Sequence, residues 1–388
     1  MRRVFFLYIV LSSCLALGAQ EKVCQGRVVD AATGEAMPYA QVYVGGGRGA
    51  MTNAEGEFCV KVSERDTIRF SYVGYEKLSM EASMVPEVVA LKPFSQTLHE
   101  IVVEPFDKDS ILRRIIGNLR KDYSQNRKER HVFFMRALLR NSEDSYLIEN
   151  LLTARSAVSL RELQTLSGRF GLNAEGKESG MGLGYTNIQH MAEVAPRTSQ
   201  SLYWQDAVKP LTSLRTVRKY YDVELQRLHG SEGESLYLIT FRLAGQHAKA
   251  LGQRRYLTGT AYVDAGSLRL LRFDGEVNNA SQWVNFKRQP SRIEFRLAFS
   301  HADGYTSVQN LAVWGGSEEM KYRVLLYRVG DGTPASSPEG RTERNLLKSV
   351  NEAGYDSTLW ERYDIVKRTQ EEERAASRDR VRTRYGSN

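Results

Sequence analysis

The stretch TNAEGEFCV, residues 52–60, reads either as the opening of a calcium loop or as a tight turn between two strands. An EF-hand loop needs about six oxygen ligands within roughly twelve residues, ends on a bidentate Glu, and has a helix on either side. Here Gly56 runs into Phe58, Val60 and Val62, an every-second-residue pattern that fits a half-buried strand. No acidic residue falls between Glu57 and Ser63 to supply the later ligands. Asn53 and Gly56 suit a reversal of direction because both tolerate positive φ. The stretch therefore predicts a turn, and a turn here makes the region around it β.

Outward from that turn, residues 22–92 break into short strand-like runs separated by turn chemistry. Cys24–Asp30 precedes Ala31-Ala32-Thr33-Gly34, and Tyr39–Val44 stops at Gly45-Gly46-Gly47. Ala50–Thr52 enters the turn, Thr67–Val73 ends at Gly74-Tyr75, and Val88–Leu91 closes the set. About six or seven strands at this spacing predict a sandwich of antiparallel strands. The residues G-R-V-V-D (26–30), Gly34, P-Y-A-Q-V-Y-V (38–44), T-N-A-E-G-E-F (52–58) and F-S-Y-V-G-Y (70–75) resemble the carboxypeptidase regulatory-like domain. The resemblance implies a seven-stranded transthyretin-like β-sandwich over residues 20–92. It also implies a non-catalytic accessory module of the kind that precedes many envelope proteins in Gram-negative bacteria.

The chain opens MRRVFFLYIVLSSCLALGAQ, with Arg2 and Arg3 before an apolar run and small residues at Ala16–Ala19. That pattern predicts a signal peptide over residues 1–19 and an exported protein; the expected location is the periplasm, near or associated with the outer membrane. Leu11-Ser12-Ser13-Cys14 resembles a lipobox, but the apolar run continues through Leu15, Ala16 and Leu17 where a polar tether is expected. Ordinary cleavage is therefore favoured over lipidation at Cys14. No later run approaches the ~18 apolar residues of a spanning helix, so no transmembrane helix is expected in the mature chain. Removing Arg2 and Arg3 lowers the formal net charge from +8 to +6. The basic residues are scattered among acidic ones, which argues against nucleic acid, whose recognition needs a concentrated basic stripe. Cys24 and Cys59 survive cleavage, and export permits a bridge. Their opposite parity along their strands weighs against one, and the pairing stays open.

After a connector at 93–106, Asp107–Tyr123 changes period. Asp109 or Ser110 can cap a helix there, with Ile111, Leu112, Ile115, Ile116 and Leu119 on one face. Arg113, Arg114, Arg120 and Lys121 lie opposite, and docking on the helix's own domain is favoured over an anionic membrane. Strand-like runs follow at 131–139, 146–152, 236–243, 256–263, 268–277, 293–299, 305–313 and 321–329, with a hairpin around Asp264-Ala265-Gly266-Ser267. The fold class expected is mainly β. A larger antiparallel β-rich (α+β, half-barrel-like) domain follows the sandwich over 107–330, with residues 155–230 left without a strand order. A charged segment, 331–388, ends the chain, read from Glu361 onward as a solvated helix or a disordered end. LRKDY (119–123), GTAYVDAGSLRLLRFDGEV (259–277) and YDSTLWERYD (355–364) resemble an envelope family in which a regulatory-like sandwich precedes a half-barrel. Some members continue into an outer-membrane barrel, which is not expected here because the chain stops at Asn388. The sheet is also similar to lipoprotein carrier folds, whose concave face holds acyl chains.

Three sets of residues invite a chemical reading. His190-Met191-Ala192-Glu193 has H-x-x-E spacing, with His301 as a third zinc ligand, but His301-Ala302-Asp303-Gly304 reads as a hairpin turn and the strands lack a carboxypeptidase pattern. Gly180, Gly182 and Gly184 form G-x-G-x-G without a confident helix after them, so a loop is favoured over a phosphate cradle. Tyr256, Tyr262, Trp283 and Trp314 line a cleft or pack in the core, and core packing is favoured because strands prefer aromatics. No serine sits in a G-x-S-x-G elbow. The sequence therefore assigns no catalytic residue, no cofactor and no metal ligand. It points to an exported non-enzymatic envelope protein that binds or scaffolds, its partner an envelope protein or a lipid or other apolar ligand. The alternatives are a periplasmic carrier of an apolar ligand, such as a lipid or a lipoprotein acyl chain, and a zinc carboxypeptidase-like hydrolase.

Overall fold

Alternation of apolar and polar residues before Lys92 builds two facing sheets. The computed structural model describes residues 22–45, 48–95, 107–124, 129–140, 145–172, 207–247, 251, 254–284, 287–331, 346–363 and 365–376. The chain falls into two compact units whose main boundary in sequence lies between Lys92 and Pro93, with Val73–Glu76 belonging to the second and Asp364–Lys367 to the first. In the first, the strands are β1 (Lys22–Asp30), β2 (Gln41–Val44), β3 (Arg48–Met51), β4 (Glu57–Val62), β5 (Thr67–Ser71), β6 (Leu78–Glu81) and β7 (Val88–Leu91). They form one sheet ordered β4-β1-β7 and another ordered β3-β2-β5-β6. Phe58 of one sheet meets Phe70 of the other edge-on, with ring centroids 5.2 Å apart, and both are fully buried. Such aromatic pairs add about 0.5–1.5 kcal/mol beyond their buried area.

Two details depart from the sequence reading. β1 and β7 pair in parallel, because the whole unit lies between them and provides the long crossover a parallel pair needs. β6 was not foreseen, since LSME is short and polar. The cysteine parity holds: Cys24 lies opposite Val60 and Gln25 opposite Cys59, so the two thiols point to different faces and no disulfide joins them.

The second unit opens with α1 (Lys108–Ser124), β8 (Arg130–Arg140), β9 (Ser145–Ser156) and β10 (Leu160–Leu172). Helix α2 (Leu214–Tyr220) leads into β11 (Tyr221–His229), β12 (Ser235–Leu243), β13 (Tyr256–Asp264) and β14 (Leu270–Asn278). A small hairpin of β15 (Ser281–Val284) and β16 (Lys287–Pro290) precedes β17 (Arg292–Ser300), β18 (Ser307–Gly316) and β19 (Lys321–Asp331). Helices α3 (Leu346–Ala353), α4 (Ser357–Trp360) and α5 (Gln370–Ala376) follow. Ten strands make one antiparallel sheet ordered β10-β9-β8-β19-β18-β17-β14-β13-β12-β11, so the unit's first strand is zipped to its last.

One face of this sheet is apolar and closed. Leu112, Ile115 and Leu119 of α1 pack into the same core as Phe133, Phe241 and Phe295, which settles the helix's role as docking on its own unit. Each fully buried side chain of this size stabilises by about 1.5–3 kcal/mol relative to exposure. The rings of Phe241, Phe273 and Phe295 stack across strands at 6.4 and 5.8 Å. Gly275 lies where a Cβ would meet the Phe273 and Phe295 rings at 2.6 Å, so only glycine admits that stack. The helix begins at Lys108, with Asp107 offering its carbonyl to the Ile111 amide at 3.1 Å. Asp109 is therefore not the cap; it lies in the first turn and binds the Arg218 guanidinium.

The opposite face divides in two. Over β8–β10 it is covered by α4 and α5, which corrects, as far as Ala376, the reading of Glu361 onward as a solvated helix or a disordered end; residues 377–388 lie outside the described residues. Glu372, Ala375 and Ala376 are buried, and Leu138 and Leu147 of the sheet pack beneath α5. Glu149 and Arg136, both buried, explain why: Arg136 Nε donates to Glu149 at 2.7 Å and its Nη1 to Glu372 at 3.1 Å. Arg169 and Arg368 also bind Glu149, at 2.7 and 2.6 Å. The chain after Val350 also blunts the edge of β10. The Gly168 amide donates to the Gly354 carbonyl at 2.8 Å, and Ser167 Oγ accepts from Trp360 Nε1 at 2.9 Å.

Candidate functional site

Over β17–β19 the polar face stays open, and the register there sets four side chains side by side. Leu138, Arg323, Trp314 and Glu294 are consecutive cross-strand partners on β8, β19, β18 and β17. The next row along is Arg140, Lys321, Gly316 and Arg292. Residues two apart on a strand share a face, so the two rows lie against each other. Gly316, at φ +142°, leaves a gap in the second row, and a Cβ there would meet the Met320 carbonyl at 2.1 Å. With Glu371 of α5 as a wall, the rows enclose a cavity of about 420 Å³. That lies within the size range of small-ligand sites.

The cavity's charges are unevenly matched. Arg292 Nε contacts one oxygen of Glu294 at 2.7 Å, and the Trp314 indole N–H donates to the other at 2.9 Å. Both Glu294 oxygens are thus engaged and the indole plane is held in place. Arg140 pairs with Glu371 at 3.0 Å. Arg323 and Lys321 have no carboxylate partner among the described residues, which leaves two uncompensated positive charges beside a half-buried indole. Glu318 and Glu319 lie on the adjoining turn, exposed and outside the cavity lining.

In the first unit, the opening turn is built as a turn. Gly56 has φ +78° and its amide donates to the Asn53 carbonyl at 3.1 Å. Asn53 Oδ1 accepts the Glu55 and Glu57 amides, each at 2.9 Å, so the oxygen a cation would need is already engaged. This turn joins strands of the two facing sheets, with Phe58 and Phe70 between them. Residues 24–103 match the CarboxypepD_reg-like domain. This regulatory-like domain covers the front of the chain only, and the cavity lies outside it. No curated protein sequence matches the chain. Among solved structures, a DUF1329 family protein from Desulfovibrio piger is 11% identical, over 56% of this chain and 90% of that one, at a TM-score of 0.21. A domain from Vibrio parahaemolyticus, described as outer membrane lipoprotein-sorting, is 9% identical over 58% and 94%, at 0.23. MucB in complex with MucA(peri) is 8% identical over 55% and 92%, at 0.17. TM-scores this low do not carry a fold from one chain to another.

The residues singled out in the sequence are placed as follows. His301 lies in the turn between β17 and β18, where its carbonyl accepts the Gly304 amide at 3.0 Å. Its Nε2 is buried without a hydrogen-bond partner among the described residues, and burial, with Arg269 nearby, lowers its pKa. His190, Glu193, Gly180, Gly182 and Gly184 lie outside the described residues. Among the described residues no group of His, Cys, Asp and Glu is arranged to hold a metal ion. Tyr256 packs against the core as expected. Tyr262 and Trp314 do not: Tyr262 lies under the Arg272 guanidinium at 3.8 Å, and Trp314 lines the cavity. Both occupy the polar face by strand parity, which overrides their apolar surface. Trp283 belongs to β15, and its side chain lies outside the description. Arg323, Lys321 and Gly316 were not foreseen. Their signal was Trp314-Gly315-Gly316 at the end of an apolar strand, an aromatic followed by residues with no side chain.

Proposed function

We propose that this is an exported envelope protein that binds a partner or ligand and performs no chemistry on it, with the Trp314 cavity as its binding site. The regulatory-like domain at its front supports an accessory role, because such a module is expected to present or position rather than catalyse. The observation that carries the reading is the pinned indole: Glu294 fixes Trp314 before anything binds, and a rigid aromatic beside cations with no carboxylate partner among the described residues is a recognition surface. The apolar face offers less to a carrier of acyl chains, since α1 and the stacked phenylalanines already fill it.

The test is native mass spectrometry of the full chain purified from its own envelope, with Trp314→Ala prepared alongside. The reading expects a bound species on the unsubstituted protein that the substitution removes. A bound species retained by Trp314→Ala would place the site elsewhere. An acyl lipid so retained would favour the carrier reading.

A further inference from the structure

The cavity's charge pattern goes further than binding in general and names the chemistry of the ligand. We propose that it takes an oxyanion, a carboxylate or a phosphate, carried on a ring that lies against Trp314. The inference rests on the binding reading above. Of the cavity's four cations, Arg140 and Arg292 are neutralised by Glu371 and Glu294 at 3.0 and 2.7 Å. Arg323 and Lys321 are not so neutralised among the described residues, and they stand two residues apart on one face of β19. An oxyanion between them gains charge-assisted hydrogen bonds, bidentate where it meets the guanidinium fork.

The register also fixes what the anion is attached to. Arg323 has Leu138 on one side and Trp314 on the other, and Lys321 has the bare Gly316 as its neighbour. The space beside the cations is therefore floored by a glycine and walled by an indole. A flat ring can lie there against the indole. Glu294 is engaged by Arg292 and Trp314 and pairs with neither Arg323 nor Lys321 among the described residues. A neutral ring would leave the two cations as they are in the free protein and gain only the stacking. The ring's own charge thus decides occupancy.

Isothermal titration of the full chain with phenyl phosphate, benzoate, inorganic phosphate and benzyl alcohol separates the contributions. Phenyl phosphate or benzoate should bind, and rising salt should weaken binding. Benzyl alcohol should bind at least about tenfold more weakly, as should Arg323→Gln with either anion, each having lost a charge-assisted hydrogen bond. Arg323→Lys, which keeps the charge and loses the fork, should bind more tightly than Arg323→Gln and less tightly than the unsubstituted protein, which guards against a variant that merely misfolds, and circular dichroism checks both. Phosphate alone matching phenyl phosphate would show a site for the free ion and overturn the ring. Benzyl alcohol matching benzoate, no effect of Arg323→Gln, or no binding by any probe would overturn the anion. The binding reading fails separately, when Trp314→Ala keeps the species that co-purifies from the envelope.

Discussion

Replacing Glu149 by Gln should cost the second unit more than any other single polar substitution in it. Glu149 is 1% exposed and sits among Arg136, Arg169 and Arg368, at 2.7, 2.7 and 2.6 Å. The substitution keeps the volume and removes a carboxylate charge that all three guanidiniums meet, while Arg136 keeps Glu372 and Arg368 keeps Glu373. Removing one member of a buried pair costs about 3–5 kcal/mol, because the partner's charge stays behind without compensation. For a unit of this size that corresponds to a fall of roughly 6–20 °C in melting temperature. Arg242→Gln is the control: its pair with Glu224 is exposed on both sides and should shift stability by about 0–1 kcal/mol. The effect should also depend on pH. Burial works to raise the Glu149 pKa, but the charges of Arg136, Arg368 and Arg169 outweigh it and hold the carboxyl below its usual range. A carboxyl lowered on folding contributes its full stability above the unfolded value of about 4.3, and loses it as pH falls through the folded value. The unsubstituted protein should therefore lose stability progressively below about pH 4, along a slope that the Gln variant does not share. Urea unfolding at pH 7 and at pH 3.5 reads both. A loss under about 1 kcal/mol at pH 7 would refute the buried network as the fastening of the C-terminal helices.

Two further outcomes follow from single positions. Gly56→Val should cost about 1–3 kcal/mol, because Gly56 has φ +78° and a Cβ would meet the Val28 carbonyl at 2.8 Å. The cost should be the same with and without calcium, and a melting temperature raised by millimolar calcium only in the unsubstituted protein would show an ion in the turn. His301→Gln should flatten the stability profile between about pH 5 and 7. Burial lowers the folded pKa of His301, so its contribution is present above the unfolded value of about 6.5 and lost as pH falls below it. An unchanged profile, followed by thermal melts, would count against that.

The strands of the regulatory-like domain other than β6 were legible because alternation and turn chemistry are local, and Asn53-Ala54-Glu55-Gly56 carries its reason within a few residues. β12, β13 and β14 were legible on the same ground. β10 was not, because its pairing with β9 shifts register twice, between Arg161 and Gln164 and between Thr165 and Ser167, which destroys the two-residue period. The C-terminal helices were misread because their burial depends on Arg136 and Glu149, more than 200 residues away in sequence. A trace of them was visible: each is a lone charge inside an apolar strand, HVFFMRALLR and SYLIENLLTARS, and a charge so placed needs a partner. The cavity was the least legible feature. It is produced by register across four strands, and the one local trace of it, Trp314-Gly315-Gly316 at the end of β18, names neither the partner strands nor the cations they bring.

The indole N–H resonance of Trp314 offers the most direct measurement. In a proton–nitrogen spectrum of the full chain, with the four tryptophans assigned by substitution, envelope extract would be added stepwise. A protein that binds at this cavity should show the Trp314 signal moving as its bond to Glu294 is perturbed, while the signal of Trp360, buried between α4 and the sheet, stays in place. A Trp314 signal that does not move, or a change confined to Trp360, would contradict the account.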